Sequence, residues 1–189
     1  MAGAVIVIAL AVVFFLPEKE KGDTTTVETV AAETTATNAN DSSSAKDTAS
    51  EEATASSDNG VQAEVNENGD VVIPIADITE TATFYQYNSN GTDMALFAVK
   101  ASDGTIRTAF DTCQVCNGSP YAFFKQQGDT FQCQNCGNIY SLDMIGKERG
   151  GCNPVPIMSD EATVTDTEII IPAQLLEENA VRFENWKKF

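Results

Sequence analysis

The sequence from Cys113 to Cys136 reads CQVCNGSPYAFFKQQGDTFQCQNC. It holds two Cys-x-x-Cys pairs that are separated by sixteen residues. Each pair places two thiols in one tight turn, and a spacer of this length suffices for a strand and its return, so we expect the pairs to face each other. A fifth cysteine, Cys152, follows in the motif GGCNP, and the chain has no histidine. The pattern predicts a metal site built from thiolates.

The segments around the cysteines are short and rich in β-branched and aromatic residues, which predicts a mainly β, small α+β fold. We expect an antiparallel meander that leads into Cys113, with a turn at the Asn90-Gly91 pair because these residues tolerate positive φ. The spacer between the Cys turns is expected to form a hairpin. A short C-terminal helix is expected to begin near Pro172. The predicted strands are 81–87, 94–100, 106–110, 139–142 and 168–171, and the predicted packing stripe of the helix is Leu176, Ala180, Phe183 and Trp186.

The chain is acidic, with a net charge of −17 at pH 7. Such a surface argues against binding to nucleic acid, and we expect no nucleic-acid partner. It is compatible with a positively charged redox partner.

Composition divides the chain into three parts. Residues 1–16 are almost continuously apolar and are interpreted as a signal or membrane anchor, although a helix of this length spans only about 24 Å. Residues 17–60 form an acidic, Ser/Thr-rich tract, which predicts a disordered stalk. Residues 61–189 are predicted to be the Cys-rich metal-binding domain. The membrane is therefore an expected partner of the N-terminal segment.

Two metal chemistries fit the cysteine spacing equally well. Cys113, Cys116, Cys133 and Cys136 could close a tetrahedral structural zinc site. The same four thiolates could hold iron or an iron–sulfur cluster, with Cys152 as a further ligand. Spacing alone does not distinguish them, and the fifth thiol leaves a plain zinc ribbon incomplete.

Two further interpretations use the remaining sulfur chemistry. Cys152 with Met144 or Met158 would favour Cu(I), because soft ligands select it. The Cys-x-x-Cys pairs could instead exchange disulfides if one thiol had a lowered pKa. No helix is expected to begin at either pair to lower that pKa, and five thiols leave one unpaired.

Several motifs of this chain together resemble the FtrD-like membrane iron–sulfur domain family. The resemblance runs from Gly69 to Ile157, about half of the chain. It rests on the segments DVVIP (70–74), ATFYQY (82–87), FAVK (97–100) and DGTIRTAFD (103–111), and on the motifs CQVC, CQNCG and GGCNP. It implies an extracytoplasmic, membrane-tethered metal protein that acts beside iron-permease systems in redox handling of imported iron. The resemblance therefore places a redox metal above zinc.

The sequence thus predicts a membrane-tethered, extracytoplasmic metal-binding protein at the cell membrane. Its expected role is electron transfer or metal handling linked to iron uptake, with an iron permease or a redox protein as partner. No nucleophile–base pair is visible, which favours a redox or metal-binding protein over an enzyme. The alternatives are a zinc-stapled interaction domain and a thiol–disulfide oxidoreductase. The predicted ligands are Cys113, Cys116, Cys133, Cys136 and Cys152.

Overall fold

The computed structural model of the protein describes residues 54–189. The predicted anchor, residues 1–16, and most of the predicted stalk lie outside these residues. The strands are β1 Thr54–Ser56, β2 Val61–Gln62, β3 Glu64–Val65, β4 Val71–Pro74, β5 Thr83–Ser89, β6 Thr92–Lys100, β7 Ile106–Cys113, β8 Phe124–Gln127, β9 Thr130–Cys133, β10 Ile139–Ser141, β11 Pro154–Ile157, β12 Thr163–Val164 and β13 Glu168–Ile171. Within the same residues, the helices are α1 Ala173–Ala180 and the 3-10 turns Ser57–Asn59, Ile75–Asp77, Leu142–Met144 and Val181–Phe183. The predicted mainly β fold with a short C-terminal helix is confirmed.

The centre of the fold is a five-stranded sheet with the order β11-β7-β6-β5-β2. Strands β5, β6 and β7 form the predicted antiparallel meander, in which Phe97 pairs with both Phe84 and Ala109. The tight turn between β5 and β6 lies at Asn90 and Gly91, which have φ values of 50° and 91°. Asn-Gly tolerates this left-handed backbone, so the local sequence determines the register of the hairpin. Strand β2 adds to the edge of β5 in parallel.

Two smaller sheets accompany the central one. The first has the order β12-β13-β4-β3, and the second has the order β1-β8-β9-β10. The second sheet contains the predicted hairpin between the Cys turns, because β8 pairs with β9 from Phe124↔Cys133 to Gln127↔Thr130. Its turn passes through Gly128 at φ 57°. The hairpin thereby delivers Cys133 beside the end of β8.

The two faces of the central sheet belong to two separate clusters of buried side chains. Met94, Leu96 and Ala98 of β6 enter one cluster, whereas Phe97 and Val99 enter the other, as strand alternation requires. We call the first cluster the apolar half, and its large members include Val71, Ile73, Met94, Leu96, Phe110, Ile171, Leu176, Phe183 and Trp186. We call the second the cysteine half, and it includes Phe84, Phe97, Val99, Phe124, Phe131, Leu142, Cys113 and Cys133.

The C-terminal helix closes the apolar half. Pro172 lies just before the helix, and the backbone N–H of Ala173 donates to the Asp70 side chain at 3.0 Å. The carboxylate of a distant turn therefore satisfies one of the free N–H groups at the helix start. Leu176 is fully buried, and Phe183 and Trp186 join the same cluster from beyond the end of α1.

The folded part begins earlier than the predicted boundary at Val61. Strand β1 pairs with β8 from Thr54↔Gln127 to Ser56↔Lys125, and residues 57–59 form a 3-10 turn. This segment is held by polar contacts instead of apolar burial: the buried Ser57 hydroxyl donates to Asp111 at 2.5 Å. The Ser/Thr-rich composition of this segment therefore predicts a stalk and gives no sign of strand β1. Across residues 54–189, no helix combines the length and apolarity that crossing a membrane requires.

Candidate metal centre

The first Cys turn begins where β7 ends. Cys113 is fully buried, and its backbone N–H donates to the carbonyl of Ala122 at 3.1 Å. The amides of Val115 and Cys116 both donate to the Cys113 sulfur, the second over 3.4 Å. Backbone N–H groups that point at a sulfur favour its thiolate form. The turn therefore prepares Cys113 as a metal ligand.

The second Cys turn repeats the arrangement at the end of β9. Cys133 is fully buried, and its sulfur accepts from the amides of Asn135 and Cys136. Gly137 has a φ of 73°, and its amide donates to the Cys133 carbonyl at 2.9 Å. The backbone N–H of Cys133 donates to the Asn138 carbonyl at 2.9 Å, so the chain folds back on itself after Cys136. Both turns thus bury their first cysteine and leave their second nearer to solvent.

The two turns are joined directly. The amide of Gln134 donates to the Phe123 carbonyl at 2.8 Å, which ties the second turn to the start of β8. The Ser119 hydroxyl donates to the Asn135 side-chain carbonyl at 2.7 Å, which links the two loops across the site. These contacts bring together the two pairs that the sequence places on opposite ends of a hairpin.

Gln114 anchors the loop that carries Cys152, residues 150–154, by hydrogen bonds. The sequence alone does not identify Gln114 as part of the site. Its backbone N–H donates to the Asn153 carbonyl at 3.0 Å, and its side chain accepts from the Gly150 amide at 2.7 Å. The same side chain donates to the Pro154 carbonyl at 3.3 Å. Gly150 has a φ of 107°, a conformation that side chains disfavour. The only signal available in the sequence was the position of Gln114 directly after a predicted ligand.

The five sulfurs converge as two overlapping triplets. The sulfurs of Cys113, Cys116 and Cys133 all lie within 4.8 Å of one another, and so do those of Cys116, Cys136 and Cys152. Cys116 belongs to both triplets. Cys116 and Cys152 are partly buried, and Cys136 is exposed. All five predicted ligands therefore meet in one cluster that runs from the core to the surface.

The thiols influence one another strongly. The Cys113 thiol donates to the Cys152 carbonyl at 3.3 Å, and its sulfur lies within 4.8 Å of the Cys133 sulfur. Hydrogen bonding with this neighbouring thiol lowers the pKa of Cys133 to about 5, against the opposing effect of burial. The same interaction between the two thiols raises the pKa of Cys113, and burial raises it further. Burial first, and then contacts with Cys133 and Cys152, raise the pKa of Cys136 to about 12. Successive deprotonation without a counter-charge is therefore costly, and a cation would relieve the repulsion between thiolates.

The donor set fits a thiophilic metal. A four-coordinate thiolate site with a metal–sulfur distance of about 2.3 Å has sulfur–sulfur edges of about 3.8 Å. Triplets that already lie within 4.8 Å need only a small contraction to reach such edges. The cluster therefore has the chemistry of a thiolate metal or iron–sulfur site.

The methionines of the copper hypothesis have other surroundings. Met144 lies in a 3-10 turn and is 42% exposed. Met158 lines a cavity of about 310 Å³ together with Ile106 and Gly146. No observation favours either residue as a ligand.

Two buried polar side chains brace the cysteine half, and neither was identified from the sequence. Asp111 lies two residues before Cys113 on the same face of β7, is fully buried, and accepts from the Phe124 amide at 2.8 Å. Burial raises its pKa to about 7, although its hydrogen bonds act in the opposite direction. Gln126 is also fully buried and accepts from the Ala82 amide at 2.7 Å. Such groups carry no sequence signature, because only their tertiary partners make burial tolerable.

The fold and the site define a β-rich protein with a cluster of five thiols at one end of a hairpin. A family model described as "Membrane iron-sulfur containing protein FtrD-like" matches residues 78–183, more than half of the chain. The chain therefore belongs to the FtrD-like family of membrane iron–sulfur proteins, as the sequence motifs predicted. Comparison with curated proteins and with solved structures found no match.

Proposed function

We propose that this chain is a membrane-tethered, extracytoplasmic protein that transfers electrons or handles metal in iron uptake. The observation that supports this most strongly is the convergence of five thiols in a family of iron–sulfur proteins. The proposed ligands are Cys113, Cys116, Cys133, Cys136 and Cys152. Iron or an iron–sulfur cluster at these sulfurs would supply a centre that changes valence.

The protein's own residues hold and tune that centre. Backbone amides at both Cys turns compensate the negative charge of Cys113 and Cys133, and such hydrogen bonds help to set the potential of thiolate-bound iron. The buried end excludes water, and the exposed Cys136 brings the other end to the surface. An electron could therefore enter or leave at Cys136.

The surface around the cluster suits a redox partner. Residues 112–124, 130–142 and 150–159 contain no Asp, Glu, Lys or Arg, although the chain carries a net charge of −17. We call these three segments the uncharged collar. Val115, Tyr121 and Ile139 within it are 65%, 51% and 58% exposed. Charged residues are depleted from the cores of protein interfaces, which supports a proposal that a redox protein or an iron permease docks here.

The proposed tether comes from the sequence. Residues 1–16 are apolar enough to serve as an anchor, and the acidic tract behind them would hold the domain away from the membrane. The family's membrane association supports this arrangement. We propose that the domain faces outside the cytoplasm.

Disulfide exchange is the weaker candidate function. The lowered pKa of Cys133 is the property that such an enzyme needs. However, Cys133 is fully buried, and thiol–disulfide exchange requires access of the attacking thiol to its substrate. Its hydrogen-bonded position at the base of the cluster suits a ligand better than a nucleophile.

Elemental analysis and visible absorption of protein purified without oxygen test the proposal. We expect iron together with inorganic sulfide, and absorption that bleaches on reduction. Stoichiometric zinc in a colourless protein would contradict the redox role and support a structural zinc site. A protein without metal that reduces insulin disulfides would support the oxidoreductase alternative.

A further inference from the structure

We propose that Cys116 bridges two metal positions, an inner one with Cys113 and Cys133 and an outer one with Cys136 and Cys152. This inference rests on the proposed function, because it takes the cysteine cluster as a metal centre. Sequence spacing suggested one ion held by four cysteines, with Cys152 as an addition. The sulfur positions suggest a different division, since the cluster consists of two triplets that share one member.

The two positions differ in their surroundings. Cys113 and Cys133 are fully buried, and each receives two backbone amides, so the inner position is built into the base of both turns. Cys136 is exposed, and Cys152 lies in a loop that Gln114 holds. The Cys136 sulfur also contacts the sulfurs of Cys133 and Cys152, so the two positions are contiguous. We therefore expect the inner position to fill first and the outer one to exchange more readily.

Charge balance favours two cations over one. Five thiolates around a single divalent ion would leave an excess of about three negative charges, and burying uncompensated charge is costly. A second divalent ion reduces that excess to about one charge. The two basic residues that come just before Cys152 in the sequence are already paired: Arg149 with Glu161, and Lys147 with Asp103 at 3.9 Å. The uncharged collar itself supplies no cation.

Each triplet supplies three sulfurs, so a four-coordinate ion would take its fourth ligand from outside the five cysteines. Three protein ligands with one open position distinguish reactive metal sites from closed structural ones. In an iron–sulfur protein, inorganic sulfide could occupy such positions. The shared Cys116 would then couple an inner ion to an outer ion at the surface.

Titration of the full-length, reduced, metal-free protein in detergent with Co²⁺ under anaerobic conditions tests the bridge. We expect thiolate-to-cobalt absorption to rise until about two equivalents are bound. The paramagnetic resonance signal of the first Co²⁺ should weaken as the second binds, because a bridging thiolate couples the two spins. Saturation at about one equivalent, or two equivalents without this weakening, would overturn the proposal.

Variants separate the two positions. Cys152→Ser and Cys136→Ser should each reduce the stoichiometry from about two to about one and leave an uncoupled signal. Val181→Ser makes a valine-to-serine change at a position that is 64% exposed in the turn after α1, outside the thiol cluster, and it should behave like the wild type. An unchanged titration in Cys152→Ser would overturn the outer position alone. A complete absence of thiolate-to-cobalt absorption in the wild type would overturn both this inference and the proposed function.

Discussion

The two faces of the central sheet stabilise the same strands by different means. The apolar half consists mainly of aliphatic and aromatic side chains closed by α1 and the β12-β13-β4-β3 sheet, and Phe110, Leu176 and Phe183 are among its fully buried members. The cysteine half begins with comparable aromatic packing, in which Phe97 stacks on Phe131 with ring centroids 4.8 Å apart. It then ends in thiols and contains the buried polar side chains Asp111 and Gln126.

The difference shows that the candidate functional site belongs to one face of the central sheet. Hydrocarbon packing needs no further component, so the apolar half is complete as a protein structure. The cysteine half brings five thiols so close together that deprotonating more than one of them is unfavourable without a counter-charge, so its stability depends on what it binds. One face of a shared sheet can therefore act as a rigid support while the other responds to metal.

Loss of metal from the inner position should have the largest effect. Cys133→Ser removes a buried ligand, and we expect it to abolish metal binding at that position and to destabilise the protein by several kcal/mol. This expected loss of stability is smaller than the roughly 10 kcal/mol that metal binding contributes to domains that fold only with metal, because the aromatic packing of the cysteine half remains. Hydrogen exchange measures the effect: amides of β8, β9 and β10 should lose protection, whereas those of β4 and β13 should keep theirs.

Cys136→Ser is the matched control for that experiment, because it removes an exposed thiol from the same Cys turn. It should leave exchange in β9 much closer to that of the wild type. Uniform loss of protection in both halves after Cys133→Ser would show that the halves unfold as one unit, and the proposed division would then be wrong.

Much of the fold could be predicted because its signals are local. The Asn90-Gly91 turn and the alternation along β6 determine the meander, and the two Cys turns determine the hairpin between them. Strand β1 could not be predicted, since Ser56 and Ser57 are buried through tertiary hydrogen bonds that polar composition does not reveal. For the same reason, composition extends the predicted stalk to residue 60, past the start of β1.

The candidate site was predictable in its members but not in its arrangement. The Cys-x-x-Cys spacing predicts four thiols as ligands and the GGCNP motif adds Cys152, and the structure brings all five sulfurs close together. The spacing did not show that Cys116 belongs to two triplets, which depends on how the Cys152 loop docks. It also missed Gln114 and Asp111, whose contacts join segments that are distant in the chain.

Equal truncations in the two halves should separate stability from metal affinity. Phe183 and Phe131 are both fully buried, and each change to alanine should cost about 3–5 kcal/mol. Phe131→Ala should also weaken metal binding, because Phe131 lies two residues before Cys133 on β9. Phe183→Ala should leave it nearly unchanged. Denaturant unfolding of the metal-free protein and competition with a chelator measure the two quantities.

A similar loss of metal affinity in both variants would contradict the separation. It would mean that the central sheet transmits a packing defect from one face to the other. Phe183→Leu is a suitable control, since it keeps an apolar side chain at the same position and should cost less stability than the alanine variant.

The buried carboxyl of Asp111 should have an intermediate effect. Asp111→Ala leaves the Phe124 amide and the Ser57 hydroxyl without their partner, which should cost about 1–3 kcal/mol. Asp111→Asn keeps an oxygen for the Phe124 amide and offers an N–H to Ser57, so it should cost much less. Thermal unfolding of the two metal-free variants measures the difference. Equal destabilisation by Asn and Ala would contradict this account of the hydrogen bonds.

The smallest effect is expected at the surface, where Asp58 pairs with Lys187 at 2.5 Å. The hydrogen bond from Lys187 lowers the pKa of Asp58 below its usual 3.8, with partial burial opposing it. A carboxyl with a lowered pKa in the folded state stabilises the protein above its unfolded pKa and loses that contribution as pH falls through the folded value. Asp58 is about half exposed, so Asp58→Asn should cost less than about 1 kcal/mol near neutral pH. In urea unfolding of the metal-free protein, the difference from the wild type should vanish in strong acid. Asp129→Asn is the control, because Asp129 has no ion pair in the described part of the chain. If Asp58→Asn destabilised the protein equally at neutral and acid pH, the charge of Asp58 would not be the source of the lost stability.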